Sequence, residues 1–533
     1  MLLLVAGALA QDRSPGERID EAVALQLDAQ GIQALTSLVD ELAPETVEVD
    51  DTSDSQGGYC INYEYSLSEM WVDISVDELS LTPAQGQLDL SAAMTVAVND
   101  ASDPFQLYVE ALCQGNDCPG YIDPFPVELS SAVTFQVVED SLGEPYVDVS
   151  VGPFTLDNGL ASEHIQLDCS LDTLEDVLNI FGLSIYELII GALEDELTGQ
   201  LDDLRAELEL QLEEALAAAS VSEQLDLAGA TLDLELAPAD VQIDPEGLAL
   251  VLSGVAKAPA QDCVAAYDPQ FSTGTASTLP GSDAVGEHHA ALLLADDFGN
   301  QLLYAAWRGG ALCQSLGPDD GLPLDSSVLD TLSGGVLSEA LPPDAAPVFI
   351  QVKPRSAPVL DLESGHDASV RIEQLGVDLY TEIDDRMARA LPLELSTRVD
   401  LNLDFDETTG QLATELDLQE ELLIEVPFAD LAPGHEEELA ASVSAALPTL
   451  LDAALGGLLS ELSFGMPGFG GLGVTALQAQ GIEGQWLALQ LDLGTTQYEP
   501  SDCEDGCSGG CSGAGMAAGW LGLVGLVLLR RRP

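Results

Sequence analysis

The sequence predicts an α+β protein built as two pseudo-symmetric domains, each a run of antiparallel strands with one long amphipathic helix. Three observations carry that expectation. Apolar side chains alternate with polar ones at period two through most of the chain. That period gives way to helical spacing in a few sharply bounded stretches. The order strand, short helix, many strands, long helix, strands occurs twice with little residue identity between the copies.

The first strand carries Val23, Leu25 and Leu27 on one face and Ala24, Gln26 and Asp28 on the other. After Gly31 the apolar positions move to Ile32, Leu35, Leu38, Val39 and Leu42, a helix that stops before Pro44. Residues 61–169 read as antiparallel sheet, with turns at Pro83 to Gly86, Asn99 to Pro104, Gly143 to Pro145 and Asp157 to Gly159. Residues 171–219 form a long helix. Its stripe runs through Leu174, Leu178, Ile185, Leu188, Leu193 and Leu204 to Leu216, with breaks expected near Gly182 or Gly199. Strands return at 231–236 and 248–255, and a Pro/Ser/Thr/Gly-rich connection follows. The opening pattern then recurs, with a strand from His289 to Ala295 and a helix from Asp297 carrying Phe298, Leu302 and Trp307. Further strands fill 347–426, a helix covers 436–462 with Pro448 kinking or splitting it, and a strand pair ends at Leu491.

These changes divide the chain into 1–10, 11–257, 258–284, 285–495, 496–512 and 513–533: a signal peptide, a first domain, a linker, a second domain, a Cys/Gly/Ser-rich linker and an apolar tail. The signal reading rests on an apolar start ending in Ala8, Leu9 and Ala10, without the usual basic residues before it.

Composition narrows the function. The 533 residues hold 93 Asp+Glu against 14 Lys+Arg, a net charge of −79, and three of those bases are Arg530, Arg531 and Arg532. A nucleic-acid binder needs cations to neutralise phosphates, so that class is excluded, and anionic membrane surfaces are repelled by the same field. A hydrophobic content of 46% and a mean hydropathy of +0.17 argue for folded domains rather than disorder. Acid-rich, lysine-poor surfaces also suit a protein facing salty water.

At the C-terminus, Cys503, Cys507 and Cys511 lie in a Gly/Ser-rich run before the apolar span Gly513 to Leu529 and the three arginines. At about 1.5 Å per residue the span is roughly 25 Å, short but usable for crossing a membrane, with the arginines on the cytoplasmic side. This order resembles the MYXO-CTERM sorting tail of myxobacterial surface proteins. The resemblance implies processing, with Cys507 or Cys511 modified and the product retained at the cell surface or outer membrane. The body holds Cys60, Cys113, Cys118, Cys169, Cys263 and Cys313, an even number that favours disulfides in an exported chain. Cys113 with Cys118 and Cys263 with Cys313 are candidate pairs, which leaves Cys60 with Cys169; spacing does not select one connectivity.

Three segments carry a wider resemblance. They are Ala24 to Ile32, leading into the first helix; Ala291 to Tyr304, opening the second half; and Pro448 to Leu493, with a helix, a Gly/Pro-containing break and a closing strand pair. Their content and order resemble the BPI/LBP/CETP-like lipid-binding family of the tubular lipid-binding (TULIP) superfamily. The resemblance implies a boomerang of two barrel-like domains, each a strongly curved antiparallel sheet wrapped on a long helix, with acyl chains inside. Two departures stand out. The family often ties its long helix to the sheet by a disulfide, yet no cysteine lies between Ser170 and Asp262. Its endotoxin-binding members have a basic tip, where the loops here are acidic or neutral, so neutral or zwitterionic lipid suits the charge better.

No catalytic or cofactor motif stands out. The one Gly-x-Ser-x-Gly match, around Ser508, lies in the Gly/Ser linker without the strand a nucleophile elbow needs. No phosphate loop is present, and His288 with His289 lacks a second ligand cluster, so no cofactor or metal is expected. Asp400, Asn402 and Asp404 read as a solvated strand face in a carboxylate-rich chain. The expectation is a non-enzymatic, surface-held lipid-binding protein, with lipid or another apolar ligand and, through its tail, the membrane as partners. The alternative is a surface interaction or adhesion protein with filled cores; a hydrolase ranks third for want of a nucleophile and base. Candidate lining residues are Val23, Leu25, Ile32, Leu35, Leu178, Ile185 and Leu188 in the first domain, and Leu293, Phe298, Leu302, Leu450 and Leu455 in the second.

Overall fold

A computed structural model describes residues 16–33, 46–49, 51–58, 61–111, 114–158, 160–161, 163–169, 185–217, 220–227, 230–264, 273, 277–281, 284–318, 325–342, 344–362, 367–418, 422–445, 463–465 and 473–494. The described residues form three antiparallel sheets, mostly curled, with a half-barrel among them. The ten-stranded sheet lies wholly in residues 46–167 and the eight-stranded sheet in 314–465. The seven-stranded sheet is shared. Its order is Val221–Leu227, Ala230–Asp244, Gly247–Lys257, Ile19–Asp28, Ala290–Ala295, Trp486–Gly494 and Gly473–Ile482. The opening strand of each half therefore lies beside the opening strand of the other.

That central pairing is pseudo-symmetric. Leu25 lies opposite Leu292, and each stands three residues before the end of its strand, where a helix begins. The junction is tight. A Cβ on Gly31 would lie 2.0 Å from the carbonyl oxygen of His289, so only glycine fits where the first helical turn presses on the entry to the second half. Asp28 caps that turn by accepting from Gly31 N at 2.6 Å.

Long strands bend the outer sheets. Gln114–Glu139 spans 26 residues, and Pro145–Val151, Thr155–Asn158 and Ile165–Leu167 pair with it one after another. Register shifts between Val76 and Glu78, Val96 and Val98, and Ile372 and Leu375 mark bulges that increase local twist. In the hairpin joining Ala368–Ile383 to Arg386–Asp406, Asp384 and Asp385 both adopt positive φ, which suits the handedness of a two-residue turn.

The long helix runs Ile185–Ala217 without a break at Gly199; Gly182 and the rest of 171–184 lie outside the described residues. Its early turns place Ile189 and Leu193 among Phe105, Ile122 and Phe125 of the ten-stranded sheet. Later turns place Leu204, Leu208, Leu212 and Leu216 in the cluster that holds Val147, Val149 and Val151. Its carboxylates also cover a strand edge. Val151 N donates to Glu209 at 2.9 Å and Val149 N to Glu213 at 3.2 Å, an i, i+4 pair on the helix meeting an i, i+2 pair on the strand.

In the second half the inner face meets two shorter helices. Ser326–Leu332, absent from the sequence expectation, is capped by Asp325, which accepts from Ser327 N. Leu329 and Leu332 join Leu439 and Val443 of the helical segment 436–445 against Leu379, Leu391 and Leu393. The expected continuation to 462, with Pro448, lies outside the described residues.

Two disulfides are formed among the described residues. Cys263–Cys313, one of the candidate pairs, ties the linker to the segment after helix Asp296–Arg308. Cys118 pairs with Cys169 rather than with Cys113, which corrects both of the other candidate pairings. The reason is sheet geometry: Ile165–Leu167 pairs with Gly120 to Ile122 and brings the residues just beyond it against Cys118. Cys60 and Cys113 lie outside the described residues.

Two outcomes are expected. Glu209→Ala and Glu213→Ala each leave a strand-edge N–H without its acceptor and lower the urea unfolding free energy by roughly 1 kcal/mol, whereas Asp202→Ala on the exposed helix face changes it little.

Candidate functional site

The two faces of the central sheet differ in chemistry. Residues directly opposite one another on neighbouring strands share a face, so register assigns every side chain. One row runs Val241, Leu250, Leu25, Leu292, Leu489 and Ala479. The rows beside it add Leu248, Leu27 and Leu491, and Leu252, Val23, Leu294 and Leu487. This face is almost wholly aliphatic and crosses both halves without interruption. The opposite face carries Gln242, Ala249, Gln26, Ala291, Gln490 and Gln478 in one row.

The aliphatic face is unevenly covered. Helix Asp296–Arg308 lies over one end, where Phe298 meets Gly254 and Gly299 meets Leu294. Leu252, Val23, Leu294 and Leu487 there are buried. Elsewhere on this face Leu25, Leu27, Leu248, Leu292 and Val241 are half-buried, whereas Leu250, Leu489 and Leu491 are buried. These half-buried aliphatic side chains on one continuous face make it a candidate apolar binding surface.

The glutamine face is crossed by the linker. Gln26 Nε2 donates to Pro280 O at 2.8 Å, Gln490 Nε2 to Ala284 O at 2.7 Å, and Trp486 Nε1 to Thr278 O at 2.8 Å. Helix Asp296–Arg308 completes the junction with buried polar side chains. Gln301 donates to Glu17 O and accepts from Ala256 N, while Asn300 donates to Thr273 O and accepts from Leu360 N. Four separate segments are thus held by one helix. Asp296 accepts from Ser277 Oγ at 2.8 Å, and burial pushes its carboxyl above the ordinary aspartate value.

The sequence-derived lining residues separate accordingly. Leu25 lies on the half-covered floor, and Val23 is on the same face beneath the helix. Leu293 was expected to line the second domain's cavity, but it pairs with Ala24 and faces the linker; its neighbour Leu292 occupies the floor. A one-residue slip exchanges the faces of a strand, and the three consecutive leucines hide the slip. Ile32, Phe298 and Leu302 are buried among neighbouring side chains in the main core. Ile185 and Leu188 lie in the first turns of the long helix. Leu35, Leu178, Leu450, Leu455, Cys507, Cys511, Arg530, Arg531 and Arg532 lie outside the described residues, as does Ser508. Sequence reasoning missed Leu487, Leu489 and Leu491, although their period-two spacing after Trp486 was a sufficient signal.

Among the described residues no group of three His, Cys, Asp or Glu side chains is placed to hold a metal. His288 Nδ1 lies 3.2 Å from Asp492, and His289 Nδ1 accepts from Leu493 N. Asp400 corrects an expectation: it is 1% exposed and paired with Arg398 at 3.2 Å, not solvated, because it sits opposite Ser369 in the sheet interior. No described helix is long and apolar enough to cross a membrane.

No protein-family model and no curated protein matches the chain. Among solved structures, lipopolysaccharide binding protein is similar at 14% identity and a TM-score of 0.50, over 89% of this chain and 99% of that one. P47 of Clostridium botulinum E1 aligns at 9% identity and a TM-score of 0.27, over 90% of this chain and 100% of that one. Takeout 1 of Epiphyas postvittana aligns at 11% identity and 0.19, over 32% and 78%. The first of these shows the fold: the chain has the BPI/LBP-like architecture that its sequence resembles.

The elevated carboxyl of Asp296 sets a pH signature. An acid whose folded value lies above its unfolded value opposes folding at neutral pH, and the penalty fades as pH falls through the folded value toward the unfolded value near 3.8. Asp296→Asn keeps an oxygen for Ser277 and removes the charge. Chemical denaturation at about pH 7 should show a more stable protein, with the gain over wild type shrinking at about pH 4.

Proposed function

We propose that this chain is a non-enzymatic lipid-binding protein whose cargo lies against the aliphatic face of the shared central sheet. The observation that carries the reading is the aliphatic row in which Leu25 and Leu292 are only half-buried, where each methylene of cargo taken from water contributes about 0.8 kcal/mol. The architecture shared with lipopolysaccharide binding protein supports it, since that protein's own name records an amphiphilic ligand. The net charge of −79 favours a neutral or zwitterionic ligand over an anionic one. In the second half, Leu329, Leu332, Leu439 and Val443 pack onto the inner sheet face, which directs the cargo to the central floor rather than to that interior.

Native mass spectrometry of purified protein tests the cargo. Wild type is expected to carry co-purifying lipid, and the pair Leu25→Gln with Leu292→Gln to lose at least about tenfold of it. Leu423→Gln, at an exposed position, should retain it. A clean apo mass for wild type would instead favour an interaction or adhesion protein with filled cores.

The chain is further proposed to be exported and held at the cell surface or outer membrane through the tail that contains Cys507, Cys511 and Arg530 to Arg532. Fractionation should find the full chain with membranes and a chain ending before Cys503 in the medium. Equal distribution of the two would refute the anchoring role.

A further inference from the structure

The long helix carries a glycine that its packing does not require. A Cβ on Gly199 would meet nothing within 4 Å, and the residue is exposed. Glycine in a helix interior weakens the helix about fivefold relative to alanine. Helix Ile185–Ala217 nevertheless runs through this position without a break.

Gly199 divides two differently seated parts. Before it, Ile189 and Leu193 are fully buried against Phe105, Ile122 and Phe125 of the ten-stranded sheet. After it, Leu204, Leu212 and Leu216 are only half-buried, in the cluster that also holds Leu25 and Leu292. Neither cluster holds a described residue between 194 and 203, so the helix crosses from one core to the other with its weakest turn over the gap. The later part is fastened to the edge of Pro145–Val151, where Glu209 and Glu213 accept from Val151 N and Val149 N. Both carboxylates are half-buried, so water can replace either partner when the helix tilts away. Strand Pro145–Val151 in turn touches Ala230–Asp244, which carries Val241 of the aliphatic face. Beyond its end the helix leads into Val221–Leu227, an edge strand bonded on one side only among the described residues.

We propose that residues 200–217 form a flap that tilts on Gly199 to admit apolar cargo, with Glu209 and Glu213 as its latch. The inference rests on the cargo reading above and adds its regulation. Tilting breaks two hydrogen bonds at the strand edge and uncovers Val147, Val149 and Val151 of the same apolar cluster. Ile189 and Leu193 meanwhile hold the first turns in place. A bend at one glycine thus opens the sheet without unfolding the helix. Closure re-forms the two bonds and takes the cargo out of water.

Stopped-flow fluorescence of the full chain with N-phenyl-1-naphthylamine, an uncharged probe that brightens in apolar surroundings, reads entry and release. Gly199→Ala stiffens the hinge without a clash and should slow both about fivefold, with Kd unchanged. Gly191→Ala is the control. Its Cβ also meets nothing within 4 Å, but it lies between Ile189 and Leu193 in the seated part, so both rates should stay as in wild type. Glu209→Gln combined with Glu213→Gln exchanges charged acceptors for neutral ones and should speed both rates. Hydrogen exchange at the Val149 and Val151 amides reads the flap without any ligand, and should slow in Gly199→Ala but not in Gly191→Ala. Unchanged rates in Gly199→Ala, equal slowing by Gly191→Ala, or exchange at these two amides that ignores Gly199→Ala overturns the flap. The expected exchange pattern in a chain that takes up neither probe nor lipid refutes the cargo reading instead, and with it the flap's role in admission.

Discussion

The pairing of Ile19–Asp28 with Ala290–Ala295 is the contact on which the rest of the molecule depends. Each half supplies a curled outer sheet that is complete within its own residues, but neither half completes the central sheet alone. Once the two opening strands are hydrogen-bonded in this register, Gly247–Lys257 extends the sheet on one side and Trp486–Gly494 on the other. The result is one continuous aliphatic face with its centre at Leu25 and Leu292. Its continuity follows from period-two alternation on four adjacent strands being brought into phase. A shift of one residue would interrupt the leucines with glutamine and alanine.

Polar groups enforce that phase from the other side. Gln26 and Gln490 hold the linker across the second face, and Asn300 and Gln301 bind backbone groups from four segments at the buried helix. These side chains supply both donors and acceptors, so they satisfy backbone groups that a purely apolar helix would leave unpaired. Specificity of assembly therefore rests on amides more than on charge. That is consistent with a chain whose few bases form largely exposed pairs such as Arg355 with Glu394 and Arg18 with Glu235. Most carboxylates serve the surface, but Glu209 and Glu213 show a second use, sealing a strand edge that would otherwise invite pairing with another chain.

Much of this architecture was legible in the residues. The alternation around Trp486 to Leu493, the change of period after Gly31, and the repeat of strand and helix at Ala291 to Tyr304 announce the elements and their order. The resemblance carried by those segments matches the fold observed. The candidate site was less legible. Leu292 and Leu293 are indistinguishable by composition, and only pairing puts Leu292 on the face of Leu25 and Leu293 on the other. Asp400 resembled every other carboxylate in an acid-rich chain until the register set it opposite Ser369 and beside Arg398. Cys118 had a nearer partner in sequence than in space.

Local chemistry along the chain was enough to establish an α+β protein with two similarly ordered halves, because periodicity, turn residues and helix caps act over a few residues. Which strands become neighbours and which leucines share a face are long-range outcomes. They were decided when Ile19–Asp28 met Ala290–Ala295, since only hydrogen-bond register across more than two hundred residues turns an alternating pattern into an aliphatic face on one side and a glutamine-bearing face on the other.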